Sequence, residues 1–252
     1  MAVDGVAVTA EGFGLKGSRG WAFRGIDLVA EPGALIAVEG PSGSGRTSLL
    51  LALTGRMKAT EGTATVGGAR LPKQLSAVRR LSAPAHVAGV TDLDPALTVG
   101  EHLRERALLQ HRFGESVRAL LRPRGERTAE AKLRIDTALT AAGLDRESLP
   151  KGARTAVRDL ERLEALRLSI ALALIGHPRL LAVDDLDLKL SDAERVEAWA
   201  LLRSLAAAGT TVVAVCSEAP EDALTVSTRP GHQEDTETRK EKADALADTG
   251  RA

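Results

Sequence analysis

Short apolar runs and longer stretches of helical spacing alternate along most of the chain. Three of the apolar runs have the length of buried strands: 34–38, 179–183 and 211–216. Three stretches rich in Leu and Ala are typical of helices: 49–55, 157–175 and 191–207. Because strands and helices alternate, the pattern predicts a largely parallel sheet with helices on both faces.

Weaker alternation near the amino terminus predicts two more strands, at 3–9 and 21–29, joined by a glycine-containing loop at 14–20. The first of them has the loose alternation of an edge strand. A short strand between two turns is expected at 61–68, and a further strand and loop within 79–90.

The region from 97 to about 155 carries no strand pattern and is spaced as helices. Thr98 and Glu101 have the spacing of a helix capping box. Amphipathic helices are expected at 104–121 and 128–142. This region therefore predicts a helical lobe inserted into an α/β core.

Composition limits the classes of protein to which the chain can belong. The 252 residues carry 34 basic and 34 acidic side chains, and this zero net charge argues against a nucleic-acid partner. Cys216 is the single cysteine, so neither an internal disulfide nor a cysteine-based zinc cluster is expected. No secretory signal is visible, and no apolar stretch is long enough to cross a bilayer, which predicts a cytoplasmic protein.

Two further expectations concern the extent of the folded domain and the histidines. Residues 1–226 are expected to form one folded domain, and the charged, polar stretch 227–252 to be a disordered tail. Four histidines lack the spacing of metal ligands and are expected to pack in the core or lie on the surface: His86, His102, His111 and His177.

A glycine-rich segment joins the first buried run to the first Leu-rich helix. It consists of Gly40, Pro41, Ser42, Gly43, Ser44, Gly45, Arg46, Thr47 and Ser48. Strand, glycine-rich loop and helix are the arrangement of a phosphate-binding loop, whose backbone N–H groups and helix N-terminus face the phosphates. The usual pattern has Lys where Arg46 stands, and a guanidinium keeps the charge but is bulkier and forked. The alternative is a glycine-rich turn that precedes a helix by chance.

Two carboxylates, Asp184 and Asp185, end the second buried run. Asp184 is placed to hold Mg²⁺ together with the hydroxyl of Thr47, and the metal would bridge nucleotide phosphates. Asp185 is the candidate catalytic residue, because its carboxylate could orient or deprotonate an attacking water. The alternative is an apolar strand that simply ends in two solvated acids.

These motifs resemble those of the ATP-binding cassette family, the nucleotide-binding subunits of ABC transporters. The likeness covers about 21–216, and outside the phosphate loop and Asp184 its strongest segments are Glu31-Pro32-Gly33, Thr60-Glu61-Gly62-Thr63, Leu97-Thr98-Val99 and His177-Pro178-Arg179-Leu180-Leu181. The resemblance implies an α/β fold of the P-loop NTPase type, with a RecA-like core, a small antiparallel β-subdomain and an inserted helical lobe.

The family resemblance also implies ligands and partners. The ligands would be ATP and Mg²⁺, and the partners a second ATP-binding subunit, in a homo- or heterodimer, and an integral, permease-like membrane protein. Binding to that membrane protein would place the chain at the inner face of the membrane. The family stacks an aromatic side chain on adenine, and here Trp21 is preferred, with Phe23 as the alternative.

Five departures from the family pattern concern the step in which water attacks the γ-phosphate. Gly89 or a neighbour replaces a Gln, a segment with Glu161 replaces the Leu-Ser-Gly-Gly-Gln signature, Asp185 replaces Glu, and Ser217 replaces a His. The fifth is Leu190-Ser191-Asp192, a partial and shifted form of the family's Ser-Ala-Leu-Asp. ATP binding depends mainly on the loop, so the sequence predicts binding with weak hydrolysis.

Two functional hypotheses remain open at this stage. The first is the ATP-binding subunit of an ABC-type membrane transport system, in which weak hydrolysis drives conformational change in a membrane partner. The second is a non-hydrolysing nucleotide-binding regulator or scaffold. A soluble protein of the family acting in translation or DNA repair is disfavoured by the single cassette and the zero net charge.

Overall fold

A computed structural model of the chain describes residues 4–18, 20–114, 124–187 and 189–228. The strands are β1 (Val8–Gly17), β2 (Gly20–Ala30), β3 (Leu35–Glu39), β4 (Glu61–Val66), β5 (Ala69–Leu71), β6 (Ser82–Ala85), β7 (Leu180–Val183), β8 (Thr211–Cys216) and β9 (Leu224–Ser227). The helices are α1 (Arg46–Leu53), α2 (Leu75–Leu81), α3 (Val99–Gly114), α4 (Arg124–Ala141), α5 (Arg162–Leu174) and α6 (Asp192–Ala207).

The centre of the fold is a parallel five-stranded sheet with the strand order β6-β7-β8-β3-β9. All six residues of β8 are buried, because alternate side chains enter the hydrophobic clusters on opposite faces of the sheet. Val212 and Ala214 enter one cluster, whereas Val213 and Val215 enter the other. Burial on both faces explains the uninterrupted apolar run, and the predicted parallel sheet is confirmed.

A second, antiparallel sheet has the order β2-β1-β4-β5. Strand β1 continues through Gly17, into the segment that was expected to be a loop, so the prediction of a loop at 14–20 is wrong. The pairing of β1 with β2 shifts register between Ala10 and Lys16, and Gly12 has a φ of 53°. These irregularities interrupt the two-residue alternation by which a strand is recognised in a sequence.

Helices α3 and α4 lie between β6 and β7 in the chain, in the region expected to be helical. The capping box at the start of α3 is confirmed, since Thr98 N–H donates to Glu101 Oε2 over 2.8 Å and Glu101 N–H to Thr98 Oγ1 over 3.2 Å. The single helix expected at 157–175 is instead a short 3₁₀ turn followed by α5. Leu160 and Glu161 are extended between them, so α5 begins only at Arg162.

Within the described residues, no helix has the length and apolarity needed to cross a membrane. The predicted tail 227–252 falls almost wholly outside those residues. Its first two members are described, and Ser227 is the last residue of β9.

Candidate phosphate-binding site

The glycine-rich loop leaves the carboxyl end of β3 and leads directly into α1, whose first residue is Arg46. Gly45 has a φ of 87° and lies against the second strand, because a Cβ atom there would overlap the carbonyl oxygen of Ala22. The loop is therefore packed onto the antiparallel sheet as well as held between β3 and α1. Backbone N–H groups that precede a helix in this way can surround an anion.

Thr47 and Asp184 contact each other at the base of the loop. The hydroxyl of Thr47 donates to the two carboxylate oxygens of Asp184 over 3.1 and 2.8 Å. Burial raises the pKa of the Asp184 carboxyl above its ordinary value, and the hydrogen bond from Thr47 opposes that shift. A buried carboxylate beside a hydroxyl is a donor set that suits Mg²⁺, which accepts few protein ligands and completes its shell with phosphate and water.

The described residues contain no cluster of three or more His, Cys, Asp or Glu side chains that could hold a metal alone. A cation at Thr47 and Asp184 would therefore need further oxygen ligands from a phosphate or from water. The two side chains fit Mg²⁺ that arrives together with a nucleotide.

Arg46 contacts the end of a neighbouring strand. Its Nη1 donates to the carbonyl oxygen of Cys216 over 2.5 Å. This contact holds the guanidinium between the loop and the carboxyl end of β8. Burial raises the pKa of the Cys216 thiol to about 12, so the sulfur stays neutral and inert, as expected from its place on a buried strand.

The remaining loop residues differ in exposure. Pro41, Ser42 and Gly43 are exposed, whereas Ser44 and Ser48 are half-buried. Ser44 Oγ lies 2.6 Å from the hydroxyl oxygen of Thr228. The outer part of the loop is thus open to a ligand, and its inner part is anchored.

Asp185 follows Asp184 with a φ of 46°, a backbone conformation that is uncommon outside glycine. Its side chain lines a cavity of about 340 Å³ together with His86, Arg162 and Lys189. Apolar side chains complete the wall: Ala165, Leu166, Leu186 and Leu190. Asp185 directly follows Asp184, whose carboxylate accepts a hydrogen bond from Thr47. A carboxylate that lines an open cavity can reach a water molecule there.

His86, which was expected to pack in the core or lie on the surface, is half-buried and lines this cavity. It directly follows β6, whose last residue Ala85 pairs with Val183 of β7, so the ends of the two strands bring His86 close to Asp185. Burial lowers the pKa of His86 below its ordinary value, and the nearby carboxylates, Asp185 first among them, oppose the shift. Gly89 is exposed and does not line this cavity.

Asp187 is a second residue that the sequence did not reveal. It accepts hydrogen bonds from the backbone N–H of Ser217, over 2.5 Å, and from the hydroxyl of Ser217, over 2.6 Å. Ser217 therefore ties the turn after Asp185 to the end of β8. The hydroxyl proton of Ser217 is thus donated to the Asp187 carboxylate.

The two aromatic candidates lie in different environments. Phe23 is buried and packs on Phe13 with ring centroids 5.8 Å apart, whereas the Trp21 ring is 41% exposed. Lys16 Nζ lies 5.6 Å and Arg24 Cζ 4.7 Å from the Trp21 ring. Of the two, Trp21 has the ring that a ligand could reach, and its role at adenine stays a prediction.

The model of the family described as ABC transporter matches residues 23–186, more than half of the chain. The chain is 32% identical over 200 residues to the Fe(3+) ions import ATP-binding protein FbpC of Streptomyces avermitilis, covering 78% of this chain and 51% of that protein. It is 30% identical over 212 residues to the daunorubicin resistance ATP-binding protein DrrA2 of Streptomyces coeruleorubidus, covering 84% of this chain and 59% of that protein. The chain thus spans little more than half the length of these curated relatives.

Solved structures show the same fold. Similarity to cbiO1 of Clostridium perfringens, part of the ABC transporter complex cbiONQ, has a TM-score of 0.66 at 18% identity over 84% of this chain and 78% of that one. The dimeric post-hydrolysis state of the ATP-binding cassette MJ0796 bound to ADP and Pi gives 0.62 at 23% identity over 84% and 88%. The α/β P-loop NTPase fold expected from the sequence is confirmed.

Proposed function

The chain belongs to the ABC transporter family, and from this premise we propose that it is the ATP-binding subunit of an ABC-type membrane transport system. One observation carries the proposal: Thr47 Oγ1 lies 2.8 Å from Asp184 Oδ2 at the base of an exposed glycine-rich loop. This is where a metal-bound triphosphate would be held.

Each part of the site has a role in that proposal. Gly40, Gly43 and Gly45 let the loop direct backbone N–H groups at the phosphates, and Arg46 adds positive charge. Thr47 and Asp184 would hold Mg²⁺, which when bound neutralises charge on the phosphate oxygens. The exposed ring of Trp21 would stack on the base.

Asp185 is the proposed catalytic residue, because it directly follows Asp184, which contacts Thr47, and because it lines an open cavity. It would orient and deprotonate the attacking water. His86 shares that cavity, and burial lowers its pKa. We expect hydrolysis to be weak, because Gly89, Glu161, Asp185 and Ser217 stand where the family pattern has other groups.

The names of the relatives support partners for this chain. FbpC and DrrA2 are called ATP-binding proteins of an import and a resistance system, and the MJ0796 cassette is dimeric. By extension, this chain pairs with a second ATP-binding subunit, in a homo- or heterodimer, and docks on an integral, permease-like protein at the inner face of the membrane. The ATP-binding domain would comprise 1–226, with about 97–155 as its inserted helical lobe.

A second function, a non-hydrolysing nucleotide-binding regulator or scaffold, is favoured by the surroundings of Asp185. The hydroxyl of Ser217 is bonded to Asp187. His86 lines the same cavity as Asp185, and burial lowers its pKa. This alternative keeps ATP binding and removes turnover, so a measured phosphate release that depends on Asp185 separates the two.

Calorimetric titration of the full chain with ATP, with and without Mg²⁺, tests the proposal. We expect Mg²⁺ to increase ATP affinity at least tenfold in the wild type. Asp184→Asn should lose that increase, because an amide is a poor Mg²⁺ ligand, while the thermal midpoint without nucleotide stays equal or rises as a buried charge is removed. If the titration shows no heat of binding at millimolar ATP with Mg²⁺, the proposal is wrong.

A further inference from the structure

Thr228, the first residue after β9, makes three contacts with the segment that carries the phosphate loop. Its backbone N–H donates to the Glu39 carbonyl oxygen over 2.9 Å, and its hydroxyl oxygen lies 3.1 Å from that same oxygen. The hydroxyl oxygen also lies 2.6 Å from Ser44 Oγ. The Thr228 side chain is buried, with 8% of the residue exposed.

The contact between Thr228 and Ser44 passes over Gly40. A Cβ atom at Gly40 would overlap Thr228 Oγ1 and come within 2.7 Å of Ser44 Oγ. Gly40 is therefore the residue that makes room for the two hydroxyls to meet. We call the hydrogen bond between Thr228 and Ser44 the tether. Gly40 leaves room for the tether and also allows the backbone of the loop to curve.

The tether acts at the middle of the loop, where the backbone is otherwise open. A Cβ atom at the neighbouring Gly43 would find nothing within 4 Å, and Ser42 is exposed. Arg46, on the other side of Ser44, is bonded to Cys216 at the end of β8. Ser44 and Arg46 therefore connect the loop to β9 and β8, the two strands that flank β3.

We propose that Thr228 is a positioning residue for the phosphate loop: its hydroxyl holds Ser44 so that the loop N–H groups stay directed at the phosphates. The inference rests on the proposed nucleotide binding at this loop. An N–H donor that is already oriented before the ligand arrives binds more tightly, because less loop entropy is lost on binding. Thr228 itself does not touch the nucleotide.

The test compares Thr228→Val, which removes the hydroxyl at nearly constant volume, with Thr228→Ser, which restores it. Affinity is measured by calorimetry with MgATP and, separately, with magnesium tripolyphosphate, which lacks the nucleoside. We expect Thr228→Val to weaken both ligands about fivefold, the scale of one net hydrogen bond, and Thr228→Ser to stay within about twofold of the wild type.

Ser44→Ala and the double variant Ser44→Ala/Thr228→Val complete a double-mutant cycle. If the two hydroxyls act as one tether, Ser44→Ala weakens binding by a similar factor and the double variant is no weaker than either single variant. Ser44→Ala also keeps the test open if Thr228→Val fails to fold. A purely structural role would lower the thermal midpoint without producing this coupling in affinity.

Three results would each overturn the inference. Thr228→Val could bind both ligands as tightly as the wild type, or the losses in the double variant could be additive. The third is that Thr228→Val weakens ATP binding but leaves tripolyphosphate binding unchanged. A wild-type protein that binds neither ligand would instead reject the proposed nucleotide binding. The two failures are therefore distinguishable.

Discussion

The phosphate side and the water side of the site are built from different elements. On the phosphate side, the loop between β3 and α1 supplies glycines, and the start of α1 supplies Arg46 and Thr47, of which Thr47 contacts Asp184. On the water side, the ends of β6, β7 and β8 supply His86, Asp185 and Ser217. In the proposed function, the first side keeps the glycines, a positive charge and the Thr47–Asp184 pair, whereas the second is predicted to lack the family's Gln, Glu and His.

This difference follows from how each side is made. In the proposed function, phosphate binding would rely on backbone N–H groups, whose position requires glycine at Gly45 and so is coupled to the fold. Hydrolysis would rely on side chains at strand ends, which can change while the strands keep their pairing. Binding and hydrolysis can therefore be altered separately, and four variants test where the boundary between them lies.

The largest effect is expected for Gly45→Ala, which should disrupt the phosphate side. The positive φ costs about 1–2 kcal/mol, and overlap with the Ala22 carbonyl adds enough to bring the loss of stability to about 3 kcal/mol or more. ATP binding should be lost. Gly43→Ala is the matched control, since Gly43 has a φ of 82° but open space around it, and only the first cost applies. Equal urea midpoints for the two variants would show that the packing on β2 is not what holds the loop.

Asp185→Asn should affect the water side alone. Removing the carboxylate that activates water should lower phosphate release about 100-fold, with ATP affinity unchanged. The measurement is single-turnover phosphate release beside calorimetry on the same preparation. An unchanged rate would mean that the turnover belongs to another residue or to a contaminant.

Arg46→Ala tests whether the guanidinium belongs to the phosphate side. If Arg46 leaves the Cys216 carbonyl and contacts a phosphate, Arg46→Ala should weaken ATP affinity about tenfold, while Arg46→Lys, which keeps the charge, stays within about threefold. Wild-type affinity in Arg46→Ala would show that the side chain stays on Cys216 when nucleotide binds.

The smallest effect is expected for the side chain proposed to stack on adenine. Trp21→Leu should weaken ATP binding about fivefold and leave tripolyphosphate affinity unchanged, because stacking contributes about 1 kcal/mol. Phe23→Leu is the contrast, since Phe23 is buried against Phe13 and should lower the thermal midpoint rather than the affinity. The opposite result, with affinity lost in Phe23→Leu and kept in Trp21→Leu, would assign adenine stacking to Phe23 instead.

The residues of the proposed phosphate side were easier to find in the sequence than those around Asp185. Gly40 to Thr47 and Asp184 follow short patterns that are fixed by backbone geometry and by a strand end. His86 and Asp187 follow no such pattern, because their places depend on which strands are neighbours. Pairing of β6 with β7 brings His86 to Asp185, and a hydrogen bond across two strand ends brings Asp187 to Ser217.

The same limit applies to the fold. The buried strands β3, β7 and β8 were predicted because apolar runs bounded by turns are distinctive. The predicted first strand ends at residue 9, because the register shifts of β1 after Ala10 interrupt the alternation that would reveal the rest of the strand. Helix α2 has one buried residue, Val78, and is too short to give a periodic signal. Thr228 was assigned to a tail because polar composition was the available evidence, although its hydroxyl is buried against the loop.

The most direct test of separate binding and hydrolysis is one sample in which both are measured. Purified full-length protein is incubated with radiolabelled ATP and Mg²⁺, and the bound nucleotide and the released phosphate are followed together. We expect stoichiometric, Mg²⁺-dependent binding, with turnover well below the roughly 1–10³ s⁻¹ of typical enzymes. Fast, Asp185-dependent turnover would contradict the separation, and so would the absence of bound nucleotide.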